Sequence, residues 1–189
     1  MATFEDIIRT RRSIRDFIDR EVPPELVREV IEESSFAPSA RNNQPWHFII
    51  ITSKPVIREL SSECKANLLG QIGKNPELPI ADYKTALENT DFNIFYNAPC
   101  LIYIVGPRTI ASLDVDCTLA ASYIMFSAAK RGLGSCWIGL GAHVERQEVR
   151  NKIGLPRDHR IVAPIILGYP RAIPEALPRE KPKILKIVS

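Results

Sequence analysis

The sequence predicts an α+β fold, a mixed central sheet flanked by helices, and three features carry that prediction. Continuous apolar runs such as 48–51 and 100–105 have the length of buried strands. Segments with apolar residues three and four positions apart alternate with them, the longest at 113–131. The alternation lacks the regular strand–helix–strand spacing of a doubly wound parallel sheet. With 189 residues, 45% apolar and 25% charged, the chain has the balance of one ordinary globular domain, and disorder is excluded over most of it. A single domain is expected over 1–170, followed by an extended C-terminal arm over 171–189 that packs back on the domain or on a partner subunit.

The elements follow in order. Thr3-Phe4-Glu5-Asp6 has the pattern of a capping box with Asp in place of the usual Glu or Gln, and Phe4, Ile7 and Ile8 recur at helical spacing, so a short helix is expected over 4–11. Pro23-Pro24-Glu25 opens a second helix with Leu26, Val27, Val30 and Ile31 on its apolar face. It should stop before Ala37-Pro38, because the residue before a proline is pushed out of the helical region. A polar loop leads to a strand at 46–52. Ser53-Lys54-Pro55 starts a helix with Val56, Ile57, Leu60 and Cys64 on one face. Gly, Lys, Asn and Pro then weaken the periodicity, and a loop or lid is expected from Gly70 to about Pro79, with a short helix near 83–93. Strands are expected at 100–105, 135–138 and 161–167, and helices at 113–131 and 144–153. In the long helix Asp114 and Asp116 occupy the first turn and Lys130 and Arg131 the last, which suits the helix dipole. The arm carries Pro174, Pro178 and Pro182 and a possible edge strand at 184–188.

Several function classes drop out. The formal charge of +3 is too small to mark nucleic acid as the main partner. No apolar run approaches the roughly 20 residues a bilayer requires. The N-terminal Met-Ala-Thr-Phe-Glu-Asp is acidic where an export signal is basic and then apolar, so a cytoplasmic location is expected. Cys64, Cys100, Cys117 and Cys136 include no Cys-x-x-Cys and read as small core residues, with no metal site. His47, His143 and His159 accompany no nucleophile motif, and His47 reads as a satisfied core side chain.

Four clusters carry chemistry. Arg11, Arg12, Ser13 and Arg15 place three guanidinium groups and a hydroxyl within five residues, the donor set a phosphate needs, although a solvated basic turn has the same composition. Pro38, Ser39, Ala40, Asn42 and Gln44 form a small, amide-rich loop closed by Pro45, able to hydrogen-bond a polar heteroaromatic edge in both directions, or simply to lead into a strand. The segment 132–141 has four glycines in ten residues and permits close approach to a ligand, but its spacing is not the dinucleotide fingerprint. In the arm, Arg179 and Lys181 alternate to one side and are able to close a phosphate site if the arm folds back.

Together, Arg-Arg-Ser-x-Arg-x-Phe at 11–17, Ala-Pro-Ser-Ala-x-Asn-x-Gln-Pro-Trp at 37–46, Gly-Leu-Gly-Ser-Cys-Trp-x-Gly at 132–139 and Leu-Gly-Tyr-Pro at 167–170 resemble the nitroreductase family of FMN flavoproteins. The resemblance implies a three-layer α-β-α sandwich in an intertwined homodimer with FMN at the subunit interface. It implies that Arg11, Arg12, Ser13 and Arg15 hold the phosphate and ribityl chain, with Arg179 and Lys181 completing the phosphate shell. Pro38, Ser39, Ala40 and Asn42 would reach the flavin from the partner subunit, with Gln44 supporting that loop or touching the ring. The backbone of Trp137, Ile138, Gly139 and Leu140 would face the isoalloxazine, with Gly139 where the family carries an acidic residue. The implied reaction passes hydride from NADH or NADPH to flavin N5 and then to a nitroaromatic, a quinone or a similar small oxidant in ping-pong fashion, so no catalytic side chain is assigned. A specialist of the same fold, such as a dehalogenase or flavin-consuming enzyme, and a flavin-binding redox sensor remain alternatives.

Overall fold

The apolar run at 100–105 becomes the middle of the sheet. The computed structural model describes residues 3–188, with strands β1 (His47–Ile51), β2 (Cys100–Pro107), β3 (Gly134–Trp137) and β4 (His159–Gly168) in the spatial order β1-β2-β4-β3. Along β2, Cys100, Ile102 and Ile104 enter one helical layer and Leu101, Tyr103 and Val105 the other, as the two-residue period of a strand dictates. A strand buried on both faces reads as a continuous apolar run, and β2 does so for that reason.

The helices are α1 (Phe4–Thr10), α2 (Pro24–Ser34), α3 (Lys54–Lys74), α4 (Lys84–Glu88), α5 (Leu113–Lys130) and α6 (Gln147–Lys152). Val27 and Val30 of α2 and Ala120, Ala121, Ile124 and Ala128 of α5 bury against one face of the sheet. Ile57, Leu60, Cys64, Leu68 and Ile72 of α3, with Leu87 of α4 and Val149 of α6, bury against the other. The α-β-α sandwich is thus present. The four strands pair antiparallel throughout, where a mixed sheet was expected. β2 and β3 do run the same way, joined by α5, but β4 inserts between them, so parallel strands are never neighbours. The parallel component is one bridge, Ser13 to Ser135.

The capping box at Thr3 and Asp6 is formed, with Thr3 Oγ1 accepting from Asp6 N at 3.2 Å and Asp6 Oδ2 accepting from Thr3 N at 2.9 Å. The loop expected from Gly70 is instead the last turn of α3, which runs on to Lys74 because Leu68 and Ile72 continue its buried stripe. His47 is exposed, contrary to its reading as a core side chain, because β1 is the sheet's edge; its Nδ1 lies 3.0 Å from Nε2 of His159. Residues 171–188 form neither helix nor strand, so the edge strand expected at 184–188 is absent among the described residues. No helix among them is long and apolar enough to cross a membrane.

Two further contacts position the site. Arg131, just after α5, grips Glu33 of α2 with Nη1 at 2.8 Å and Nη2 at 2.9 Å, while Ser127 and Lys130 donate to the same carboxylate. Arg131 chiefly, against the cost of burial, lowers the Glu33 pKa from 4.5 to about 2. The second contact docks residues 13–18 along β3 and the end of β4. Ile14 N donates to Ser135 O at 3.0 Å and Ile18 N to Tyr169 O at 3.0 Å. Ile14 covers Gly134, where an added Cβ would lie 2.7 Å from its Cγ1, and Phe17 covers Gly168, where a Cβ would lie 2.7 Å from its Cδ1.

Gly134→Ala should therefore lift Ile14 off β3 and destabilise the fold by about 1–3 kcal/mol in denaturant titrations, as overpacking does. Glu33→Gln should cost about 1 kcal/mol at neutral pH, a figure discounted for a side chain that is 35% exposed. A lowered carboxylate stabilises above its unfolded value and loses that contribution as pH falls through its folded value. The gap between wild type and variant should accordingly close between about pH 4.5 and pH 2 in thermal melts.

Candidate functional site

The docking of 13–18 decides where the arginines go. With Ile14 and Phe17 buried beneath the segment, Ser13 and Arg15 are left exposed on its outer side. Arg11 and Arg12 follow α1 directly. Arg12 Nη1 donates to the carbonyls of Arg9 and Arg11, each at 2.7 Å, and so closes the C-terminus of α1. Its Nε is buried and has no hydrogen-bond partner.

Two hollows lie along the backbone from 134 to 140. The smaller, about 80 Å³, is bounded by Arg11, Arg12, Ile14, Gly132, Gly134 and Ser135. The larger, about 400 Å³, is bounded by Arg15, Tyr96, Trp137, Ile138, Gly139 and Leu140, and by Leu68, Gln71, Ile80, Tyr83, Ile94 and His143. Arg15 stands 5.8 Å above the Tyr96 ring. Among the described residues neither Arg11 nor Arg15 pairs with a carboxylate, whereas Arg131, Arg146, Arg160 and Arg171 all do. Unpaired cations beside a small hollow favour an anion there, and the wider hollow with its tyrosines and tryptophan favours a planar aromatic. The stretch 132–140 runs past both.

The structure thus brings together Arg11, Arg12, Arg15, Trp137, Ile138, Gly139 and Leu140. Ser13 joins through its backbone bridge to Ser135 and borders neither hollow. The loop with Pro38, Ser39, Ala40, Asn42 and Gln44 does not reach either hollow in the same chain. Its flanking residues Ala37 and Trp46 are buried in the α2–α5 layer, on the opposite face of the sheet from Ile138. Ala40 N donates to Asp116 Oδ1 at 3.0 Å and Gln44 N to Ser39 Oγ at 3.0 Å, and Ser112 Oγ holds the other Asp116 oxygen at 2.8 Å. Within that brace Arg41, Asn42 and Gln44 take left-handed backbone, with φ of 54°, 56° and 46°. Arg179 and Lys181 are exposed on the arm and border neither hollow.

The motifs missed Gln71, Tyr83, Tyr96 and His143. Gln71 was hidden by ending α3 too early, and continuing the 57-60-64-68 spacing one more turn would have found it. His143 was set aside with the other histidines for want of a hydrolytic motif. Burial lowers its pKa below the usual imidazole value, with Glu145 acting the other way, so the ring is neutral near pH 7. No sequence signal marks Tyr96, which adopts left-handed backbone together with Asn97. Thiol chemistry is disfavoured, because burial pushes Cys64, Cys100 and Cys117 up to about 12. The described residues contain no cluster of three or more His, Cys, Asp or Glu placed to hold a metal.

Comparison with known proteins gives the same picture. The sequence profile of the Nitroreductase family matches residues 8–169. A protein of Archaeoglobus fulgidus, provisionally named NADH dehydrogenase/NAD(P)H nitroreductase, is 30% identical over 169 residues, spanning 87% of this chain and 84% of that one. A nitroreductase with bound FMN from Desulfitobacterium hafniense superposes with a TM-score of 0.83 at 24% identity, over 99% of both chains. An iodotyrosine deiodinase bound to FMN and 3-iodo-L-tyrosine superposes with a TM-score of 0.77 at 21% identity, over 96% of this chain and 97% of that one. With all four motifs set on a matching fold, and with the profile spanning both hollows, the chain belongs to the nitroreductase family.

Proposed function

We propose that the protein is an FMN-dependent oxidoreductase that takes electrons from NADH or NADPH and delivers them to a nitroaromatic, a quinone or a similar small oxidant. The observation that carries this reading is the single backbone run 134–140, with Arg11 and Arg12 beside a small hollow at one end and an aromatic hollow edged by Arg15 at the other. FMN is an anion joined to a planar ring, and the residues present fit both parts. The orphaned Nε of Arg12 is a buried donor in want of an acceptor. Gly139, whose missing Cβ faces open space, leaves the backbone at the larger hollow free of side-chain bulk. When bound, the flavin supplies the hydride chemistry, accepting from the pyridine nucleotide and giving to the oxidant.

The protein's own residues bind and orient. Arg11 and Arg12, which border the smaller hollow, meet the phosphate with charge-assisted donors. Arg15 places positive charge at the larger hollow, where it favours a ring that has gained negative charge. Trp137, Ile138, Gly139 and Leu140 offer backbone to the ring. The nucleotide and the oxidant share the open side of that ring, so the nucleotide leaves before the oxidant enters, and ping-pong kinetics are expected.

We further infer a homodimer with two such sites at its interface. The braced loop Pro38, Ser39, Ala40, Asn42 and Gln44 of one protomer then reaches the larger hollow of the other, and Arg179 and Lys181 of the arm close the phosphate end. Three features support this. The loop is shaped and anchored yet serves no hollow of its own chain. Phe4, Phe36 and Tyr123 leave an apolar surface beside α1 and α5. Ile184, Leu185, Ile187 and Val188 of the arm are between 73% and 97% exposed, a run of apolar side chains that a partner subunit would cover.

The purified protein should be yellow, with a flavin absorption spectrum and FMN as the released chromophore, and should oxidise NADH or NADPH only when a quinone or nitro acceptor is supplied. A colourless protein that takes up no added FMN would sink the reading. Arg15→Ala should weaken FMN binding by roughly 10- to 100-fold, the worth of one charge-assisted hydrogen bond, with the melting temperature of the apoprotein unchanged. Unaltered FMN affinity in a titration would contradict its placement.

A further inference from the structure

One wall of the larger hollow is polar and owes nothing to the four motifs. Gln71 of α3 and His143, which follows the 3-10 turn Gly139–Ala142, meet there with Gln71 Nε2 3.4 Å from His143 Nδ1. The pairing is braced along α3 at successive turns. Asn67 donates through Nδ2 to the His143 carbonyl at 2.8 Å. Glu63, one turn earlier, accepts from Glu145 N at 3.0 Å and from Arg146 N at 2.7 Å. Residues 63, 67 and 71 thus share one helix face and clamp 143–146 against it.

The clamp fixes chemistry as well as position. With Gln71 Nε2 donating to His143 Nδ1, the neutral imidazole carries its ring proton on Nε2. The hollow therefore contains a preset N–H donor. The other polar groups around it are Arg15, Tyr83 and Tyr96, and no carboxylate borders it among the described residues. The loop 38–44 carries Arg41 and amides and likewise no carboxylate.

We propose that Gln71 and His143 form the subsite that receives an oxygen of the oxidant, a nitro oxygen or a quinone carbonyl, and that the hollow rejects aromatic acceptors bearing an ammonium group. This rests on the flavoenzyme reading and extends it to acceptor choice. An oxygen acceptor finds a neutral N–H donor whose own position is fixed by a second hydrogen bond. An ammonium would lose its water beside Arg15 with no carboxylate to replace it, which is a large cost for a buried charge. A zwitterion such as the 3-iodo-L-tyrosine bound by the iodotyrosine deiodinase is therefore a poor ligand for this hollow.

The test uses FMN-loaded protein in steady-state assays with 4-nitrotoluene and 4-nitro-L-phenylalanine, which share a nitroaryl group and differ in the ammonium and carboxylate. Wild type should favour 4-nitrotoluene by at least about tenfold in kcat/KM. His143→Phe should raise the KM for 4-nitrotoluene by about tenfold, with the spectrum of bound FMN unchanged. Gln71→Leu should shift it in the same direction, and His143→Gln, which keeps a donor, should recover most of the loss. Equal use of the two nitro compounds by wild type, or an acceptor KM unmoved in a folded, FMN-bound His143→Phe, would overturn the proposal. A wild type that binds no FMN overturns the flavoenzyme reading itself, and the spectrum shows this before any kinetics are run.

Discussion

Ile14 and Phe17 rest on backbone at two places where the underlying residue has no side chain, Gly134 and Gly168. This contact joins the N-terminal arginines to the end of the sheet, over a separation of more than a hundred residues in the chain. Because adjacent side chains of an extended segment point to opposite sides, burying Ile14 turns its neighbours Ser13 and Arg15 outward. The same contact sets the backbone of 134–140 beside the arginines. Without it, α1 and its cluster would be a basic turn at the edge of the α5 layer.

Several arginines serve the structure alone. Arg131 is satisfied by Glu33 and Glu29 and ties α2 to α5, Arg160 pairs with Asp114, and Arg171 pairs with Asp16 where the arm begins. Arg146 pairs with Glu63, which also caps the backbone entering α6. Among the described residues Arg11 and Arg15 make no such pair and border the two hollows instead.

Much of the fold was legible in the sequence because its signals are local. Strand runs at 48–51, 100–105 and 161–167, the capping box at Thr3, and the prolines opening α2 and α3 each produce their element within a residue or two. Gly70 misled because a helix buried along Leu68 and Ile72 holds its glycines through packing, a tertiary effect that propensity does not register. The antiparallel pairing was not legible either, since no local feature says that β4 inserts between β2 and β3. At the site, the arginines and the glycine-rich stretch stood out by composition, but the hollow's other walls are single residues from α3, the 3-10 turn Pro79–Tyr83 and the turn at Tyr96, brought together only by packing.

The braced loop carries a tension of its own. Arg41, Asn42 and Gln44 hold a backbone shape that costs side chains of their kind on the order of 1 kcal/mol or more each, and that glycine would adopt freely. Asp116 at the start of α5 holds the loop in that shape, so the strain is carried by the helix that anchors it. Glycine at these three positions would relax the backbone and erase the side chains the loop displays, so a change made only to harden the fold against heat would strip the loop of what it presents.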